Sequence, residues 1–187
     1  MSATRRPRPA APGSQVERDT EAMIRVDHAG EYGAVRIYEG QLAVMRTRPE
    51  SRGAAETIAH MAEQEQKHLK AFDKLVNERR VRPTVLEPVW RVAGFALGAA
   101  TAFMGEKTAM ACTAAVEEVI DEHYAKQVEQ LDGDPELKRT IAEFRADEIA
   151  HRDTAFEHGA EMAPGYRFLS EAIKTGCRIA IRLSERI

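Results

Sequence analysis

Glu65-Gln-Lys-His68 and Glu148-Ile-Ala-His151 each set a carboxylate and an imidazole three residues apart. On a helix that spacing puts both groups on one face, so each pair can offer an oxygen and a nitrogen to one point. One such pair means little, because six histidines among this many glutamates yield roughly 0.7 by chance. The weight comes from a repeat. Glu31, Tyr38 and Gln41 recur as Glu117, Tyr124 and Gln127 at an offset of 86, and the two Glu-x-x-His pairs recur at an offset of 83. Each half thus holds a helix with a single glutamate, then a helix with Glu-x-x-His. Folded about a pseudo-twofold axis, the halves would bring Glu31, Glu65, His68, Glu117, Glu148 and His151 to one place, the di-metal carboxylate pattern of four-helix bundles. Six mixed oxygen and nitrogen ligands suit iron or manganese better than zinc, which prefers four.

The competing reading is ordinary solvated helix charge. Against it, Glu117 follows the uncharged run Met110-Ala-Cys-Thr-Ala-Ala-Val116. Such a run belongs inside a bundle, where a carboxylate needs a cation or a proton. The adjacent Glu118 is turned about 100° off that face. Glu31 follows His28-Ala-Gly30, small residues expected to let helices approach closely. Tyr38 and Tyr124 lie seven residues beyond Glu31 and Glu117, on the same faces, and can hydrogen-bond near the site or relay an electron. Packing with a satisfied hydroxyl is their plainer role, and Tyr124 joins the candidate catalytic set. His28 and His123 are expected in structural or surface roles, His60 and His158 in solvent.

Positioning these groups takes helices, and the chain offers little else. Helical patterning predicts elements over about 16–46, 52–79, 89–104, 106–131, 135–162 and from 166 to the C-terminus. They are separated by Pro49, Pro83 and Pro88, Asp132-Gly-Asp-Pro135 and Ala163-Pro-Gly165. Pro135 fits the first turn of its helix, and Ile58, Met61, Leu69, Phe72 and Val76 give the second helix an apolar face. Six helices with short links predict an all-α fold: a four-helix bundle with two additional helices and a pseudo-twofold internal repeat. Residues 1–16, with three Arg and three Pro, read as a disordered basic tail. Residues 17–187 read as a single domain, and the short tail leans towards a bacterial chain.

Composition narrows the function. A formal charge of -3, from 27 Lys+Arg against 30 Asp+Glu, argues against nucleic acid as a partner. Two cysteines exclude a disulfide scaffold or a Cys-rich zinc module and fit a reduced, intracellular setting. Val92–Met104 is uncharged but well short of the roughly 20 residues a membrane span needs. It is therefore either a buried core helix or an interfacial segment, with Phe95, Leu97 and Phe103 as its docking side chains. The last helix carries Lys174, Arg178 and Arg182 opposite Ile173, Cys177, Ala180 and Ile181. That face suits an anionic surface or, equally, a core helix with a solvated basic side.

Ile24-Arg-Val-Asp-His-Ala-Gly-Glu-Tyr-Gly-Ala-Val-Arg-Ile-Tyr-Glu-Gly-Gln41 closely resembles the first-helix signature of the demethoxyubiquinone hydroxylases of ubiquinone biosynthesis. Ala109-Met-Ala-Cys-Thr-Ala-Ala-Val-Glu-Glu118 and Gly176-Cys-Arg-Ile-Ala-Ile-Arg-Leu-Ser-Glu-Arg186 are similar to the same family, so the likeness spans about residues 20–187. The resemblance implies a ferritin-like fold and two iron ions per chain on the six residues above, Glu65 and Glu148 bridging, Glu31 and Glu117 terminal. It implies a monooxygenase that adds a hydroxyl to the ring of a demethoxyubiquinol with O2, using electrons from NADH or another reductant. No Gly-x-Gly-x-x-Gly fingerprint is present, so NADH would bind in a non-standard way. The resemblance further implies a polyprenyl quinol substrate and peripheral membrane association through the 89–104 region. The location would be the cytoplasmic side of a bacterial cell membrane, or the mitochondrial inner membrane in a eukaryote. Partners would be a homo-oligomer or other ubiquinone-biosynthesis proteins. The ligand pattern alone also admits another ferritin-like di-iron oxidase or peroxidase, or a non-catalytic metal-binding interaction module.

Overall fold

Ser14 accepts a hydrogen bond from the Glu17 amide at 3.2 Å and so starts α1, Gln15–Met45. The helix begins two residues inside the stretch assigned to the tail. The first twelve residues of that stretch lie outside the range 13–187 that the computed structural model describes. A 3-10 turn over Pro49–Ser51 leads into α2, Arg52–Glu78, and Pro88 near the first turn opens α3, Glu87–Phe103. Then come α4, Glu106–Gln130, α5, Pro135–Glu157, and α6, Tyr166–Ser184. Asp134 caps α5 by accepting from the Leu137 amide at 3.1 Å. No strand forms among the described residues. The predicted run of α5 to 162 is too long: Gly159 takes φ 81°, the left-handed conformation that ends helices, and a separate 3-10 turn covers Ala160–Met162.

The fold is a ferritin-like four-helix bundle with two added helices. α1 and α2 form one helical hairpin, α4 and α5 the other, and α3 is the crossover that links them. Ile58, Met61, Leu69, Phe72 and Val76 are all buried along α2, as their spacing predicts. In α4 every residue from Thr108 to Glu117 is buried. This helix is packed by α1, α3, α5 and α6, which is why its sequence lacks a polar stripe over that stretch.

α3 lies unusually close to α1. A Cβ on Gly98 would run into the Ile37 carbonyl, one on Gly40 into the Phe95 carbonyl, and one on Gly94 would stand 2.9 Å from the Gly33 oxygen. Gly30, read from the sequence as an approach residue, has nothing within 4 Å of such a Cβ and faces a cavity instead. The far side of α3 stays open, with Val92 69% and Phe103 72% exposed. The apolar segment is thus seated on the bundle by its glycines and bare on its outer face. Phe95 and Leu97 are half-buried, Phe95 beneath the Arg36 guanidinium and Leu97 against the core. Of the three expected docking side chains only Phe103 is therefore largely exposed, with the Arg48 guanidinium over one face of its ring. No described helix is long and apolar enough to cross a membrane.

A candidate dinuclear metal centre

The four long helices bring all six predicted ligands together. Glu31 comes from α1, Glu65 and His68 from α2, Glu117 from α4, Glu148 and His151 from α5, and each is at most 2% exposed. Their atoms form two groups. In one, ligand atoms of Glu31, Glu65, His68 and Glu148 lie within 4.8 Å of one another; in the other, those of Glu65, Glu117, Glu148 and His151 do. Donors on opposite sides of a cation with bonds of about 2.1 Å stand about 4.2 Å apart, so each group is close to the size of one coordination sphere. Glu65 and Glu148 are common to both, the geometry expected of bridges.

The donor chemistry fits. Glu31 Oε2, Glu117 Oε2, both oxygens of Glu65 and of Glu148, and Nδ1 of His68 and His151 are buried without a hydrogen-bond donor or acceptor in the protein. Such atoms are costly to bury unless a cation or proton completes them. The imidazole Nδ1 atoms instead face carboxylates, His68 at 3.2 Å from Glu148 and His151 at 3.0 Å from Glu65. Burial, then repulsion among the cluster, pushes Glu65 and Glu117 well above the ordinary carboxylate range, and burial raises Glu148. Burial opposes the charge on His68, but the Glu148 and Glu31 carboxylates that face it outweigh this and push its pKa up to about 11. His151 is lowered, chiefly by burial.

The tyrosines do more than pack. The Tyr38 hydroxyl donates to Glu117 Oε1 at 2.6 Å, and the Tyr124 hydroxyl donates to Glu31 Oε1. Each tyrosine serves the glutamate of the opposite half, so the repeat is closed by two crossed hydrogen bonds. The imidazole Nε2 atoms are held the same way: His68 donates to Asp147 Oδ2 at 3.0 Å and His151 to Gln64 Oε1 at 3.1 Å. Asp147 and Gln64 were missed in the sequence, although they share the offset of 83 and each precedes a ligand. His28 donates to Asp73 at 2.9 Å, away from the cluster, while His60 is exposed. His158 is exposed as well, but it touches Thr57 rather than solvent alone.

Of the structural and surface roles expected for it, His123 takes the structural one. It bonds the buried Asp27 at 3.1 Å, beside Gln127, and lines a cavity of about 560 Å³. Ala29, Gly30, Gly33, Ala34 and Ile37 of α1, Trp90, Ala93, Gly94 and Leu97 of α3, Val116, Val119 and Ile120 of α4 and the inner face of α6 form an almost wholly apolar wall. Its polar end consists of Asp27, Glu31, His123 and Tyr124, so the cavity meets the cluster on the Glu31 side. The basic face of α6 is also not free. Lys174 pairs with Glu118, and Arg178 with Glu122 at 3.1 Å, both on α4, while Arg182 stays exposed.

Fold and site together define a ferritin-like protein whose buried carboxylate–histidine cluster could hold metal. The comparisons take this further. The family model described as "Ubiquinone biosynthesis protein COQ7" matches residues 18–184, and the chain belongs to that family. It is 52% identical to the 3-demethoxyubiquinol 3-hydroxylase of Rhodospirillum rubrum, over 98% of this chain and 84% of that protein. It is 51% identical to the human mitochondrial NADPH-dependent 3-demethoxyubiquinone 3-hydroxylase, over 89% of this chain and 77% of that protein. To the mitochondrial 5-demethoxyubiquinone hydroxylase of Saccharomyces cerevisiae it is 42% identical, over 89% and 78%.

Proposed function

We propose that the chain is a di-iron monooxygenase that hydroxylates the ring of a demethoxyubiquinol in ubiquinone biosynthesis. The carrying observation is the apolar cavity that ends on Glu31 and Tyr124, against a cluster suited to two cations. A cavity of that lining suits a prenylated ring, not the hydrated ions a ferroxidase would admit. Glu31 and His68 would be terminal ligands of one iron, Glu117 and His151 of the other, with Glu65 and Glu148 shared. Two irons so held would supply the electrons that activate O2. One oxygen atom enters the ring and the other leaves as water, so the reaction consumes two electrons and two protons. A reduced nicotinamide is the proposed ultimate source: NADH was the expectation from resemblance, and NADPH is named for the human relative.

The chain's own residues have separable tasks. Tyr38 and Tyr124 hold one oxygen of Glu117 and of Glu31, leaving the other oxygen of each for the ion. Asp147 and Gln64 fix the histidine tautomers with Nδ1 inward. The apolar wall excludes water from the ring and from activated oxygen. The cavity runs between α3 and α6, whose outer faces expose Val89, Val92, Phe103, Phe168 and Ile179. These faces would rest on a membrane, letting a lipid-soluble quinol enter without crossing water. In a bacterium the site would be the cytoplasmic face of the cell membrane.

The test is quinone profiling of a strain lacking the protein, complemented by wild type or by Glu148→Ala. Demethoxyubiquinone should accumulate and be converted only by wild type. Equal rescue by both, or no accumulation, would overturn the assignment.

A further inference from the structure

The repeat makes the two cation positions equivalent in their ligands, and the surroundings break that equivalence in one direction. Behind His68 stands the Asp147 carboxylate; behind His151, at the matching place, stands the Gln64 amide. A second substitution repeats the pattern. Gln127 donates to Asp27, one turn before Glu31, at 2.8 Å, while its counterpart Gln41 donates to Thr113, one turn before Glu117, at 3.2 Å. Asp27 and Thr113 are themselves related by the offset of 86. Asp27 is buried, and its Oδ2 has no hydrogen-bond partner in the protein. These two differences put an acid beside Glu31 and His68 and a neutral group beside Glu117 and His151; a third, His123 against Ile37, sets an imidazole 3.1 Å from Asp27 Oδ1 and leaves Oδ2 unpartnered.

The consequence follows from ordinary coordination chemistry. An imidazole whose outer N–H is held by a carboxylate is a better donor than one held by an amide, and losing such a partner commonly lowers metal affinity about 10–100-fold. A nearby second carboxylate adds attraction for a dication, strengthened by burial. We propose that the two positions are unequal by construction, and that the one held by Glu31 and His68 takes up the first divalent cation. It is also the position the apolar cavity reaches, since Glu31, Asp27 and Tyr124 line that cavity and Glu117, Thr113 and Tyr38 do not. The cation facing the cavity is then the firmly bound one, and exchange is confined to the position behind it. This inference rests on the cluster holding two cations, but not on the identity of the substrate.

Repulsion between two close cations separates their binding steps even in a symmetric site. The diagnostic is therefore which histidine carries the first step. Apoprotein is titrated anaerobically with Mn(II) alone, with binding followed by equilibrium dialysis and by the paramagnetic resonance of free and bound ion. His68→Gln should weaken the first step at least about tenfold, whereas His151→Gln should leave it within about threefold and abolish the second. Asp147→Asn, at a half-exposed position where folding is not at risk, should weaken the first step about tenfold, and Asp147→Glu should restore it. Gln64→Ala should leave the first step unchanged. Equal weakening by the two histidine variants, or an unchanged first step in Asp147→Asn, would overturn the proposal while leaving the dinuclear centre intact. Failure of wild type to bind Mn(II) at all would remove the centre and the inequality together.

Discussion

The four long helices and the α3–α6 pair obey opposite solvent rules. α1, α2, α4 and α5 bury the six cluster residues together with Asp27 and His28 and leave their other charges towards the outside. α3 and α6 keep glycine, alanine and aliphatic side chains towards the cavity and also expose apolar groups, Phe103 at 72% and Phe168 at 84%. In the first region burial of charge is the costly feature, and a cation would offset it. In the second the costly feature is apolar surface in water, and a lipid interface would remove it. One part could hold ions and the other encloses an apolar cavity, and they meet at Glu31.

The largest effect comes from breaking the ionic region at a residue shared by both positions. Glu148→Ala should eliminate stable binding of both cations and abolish hydroxylation, as read by metal analysis of the purified protein and by quinol turnover. It should not alter association with vesicles. A variant that loses both would show that the two regions are a single cooperative unit. The metal-free protein should also respond to pH in an unusual direction. Glu65, Glu117 and Glu148 are raised in the folded state above their ordinary range, so their contribution is fully present below about 4.5 and is lost as pH climbs through the raised values. His68, raised to about 11, works the same way, and lowered His151 opposes it. The melting temperature of metal-free protein should therefore fall as pH rises above the carboxylate range. Loading with a divalent cation should flatten that slope.

Much of the ionic region was legible in the sequence because a repeat carried it: two offsets located all six cluster residues and both tyrosines. What the repeat could not show is which half each group serves. Tyr38 reaches Glu117 and Tyr124 reaches Glu31, so the contacts run between halves, across a twofold relation that a linear reading does not contain. Asp147 and Gln64 were hidden for the same reason. His123 has no counterpart at all, since Ile37 occupies the matching place, and its partner Asp27 lies 96 residues away. The end of α5 was readable, because Gly159 is a left-handed helix stop. In the apolar region composition showed that α3 was unusual but not which way it faced. The small residues of its own sequence, Gly94 and Gly98, carried that information better than Gly30 did.

Gly98→Leu tests how the apolar region is seated. The new side chain must displace the Ile37 carbonyl or the whole of α3. Overpacking of this kind costs about 1–3 kcal/mol, and here backbone atoms are the obstacle, so the upper end is expected. For a chain of this size that lowers the melting temperature by about 5–10 °C. Combining Val92→Ser, Phe103→Ser and Phe168→Ser should do the reverse. Stability and metal content should hold, because these side chains are mostly exposed and only Phe103 has a partner, the Arg48 guanidinium over its ring, while partition into vesicles falls at least about tenfold. Undiminished partition would mean that the exposed face of α3 and α6 is covered by something other than lipid.

The smallest effect separates the apolar contribution to docking from the basic one. Lys174 and Arg178 form the centre of the basic face that the last helix displays in sequence, yet they are engaged with Glu118 and Glu122 of α4. A cation already paired contributes little to attraction by an anionic surface, and partly exposed pairs of this kind contribute about 0.2–1 kcal/mol to folding. Lys174→Gln and Arg178→Gln should therefore change binding to vesicles containing anionic lipid by no more than about twofold and lower stability only slightly. Arg182→Gln, which removes an exposed charge, should weaken the same binding by up to about 1 kcal/mol, roughly fivefold, in low salt and by less as salt rises. If Lys174→Gln instead matched or exceeded Arg182→Gln, the α4 carboxylates would have to release the lysine on docking. The boundary between the two regions would then run through α4 rather than along α6.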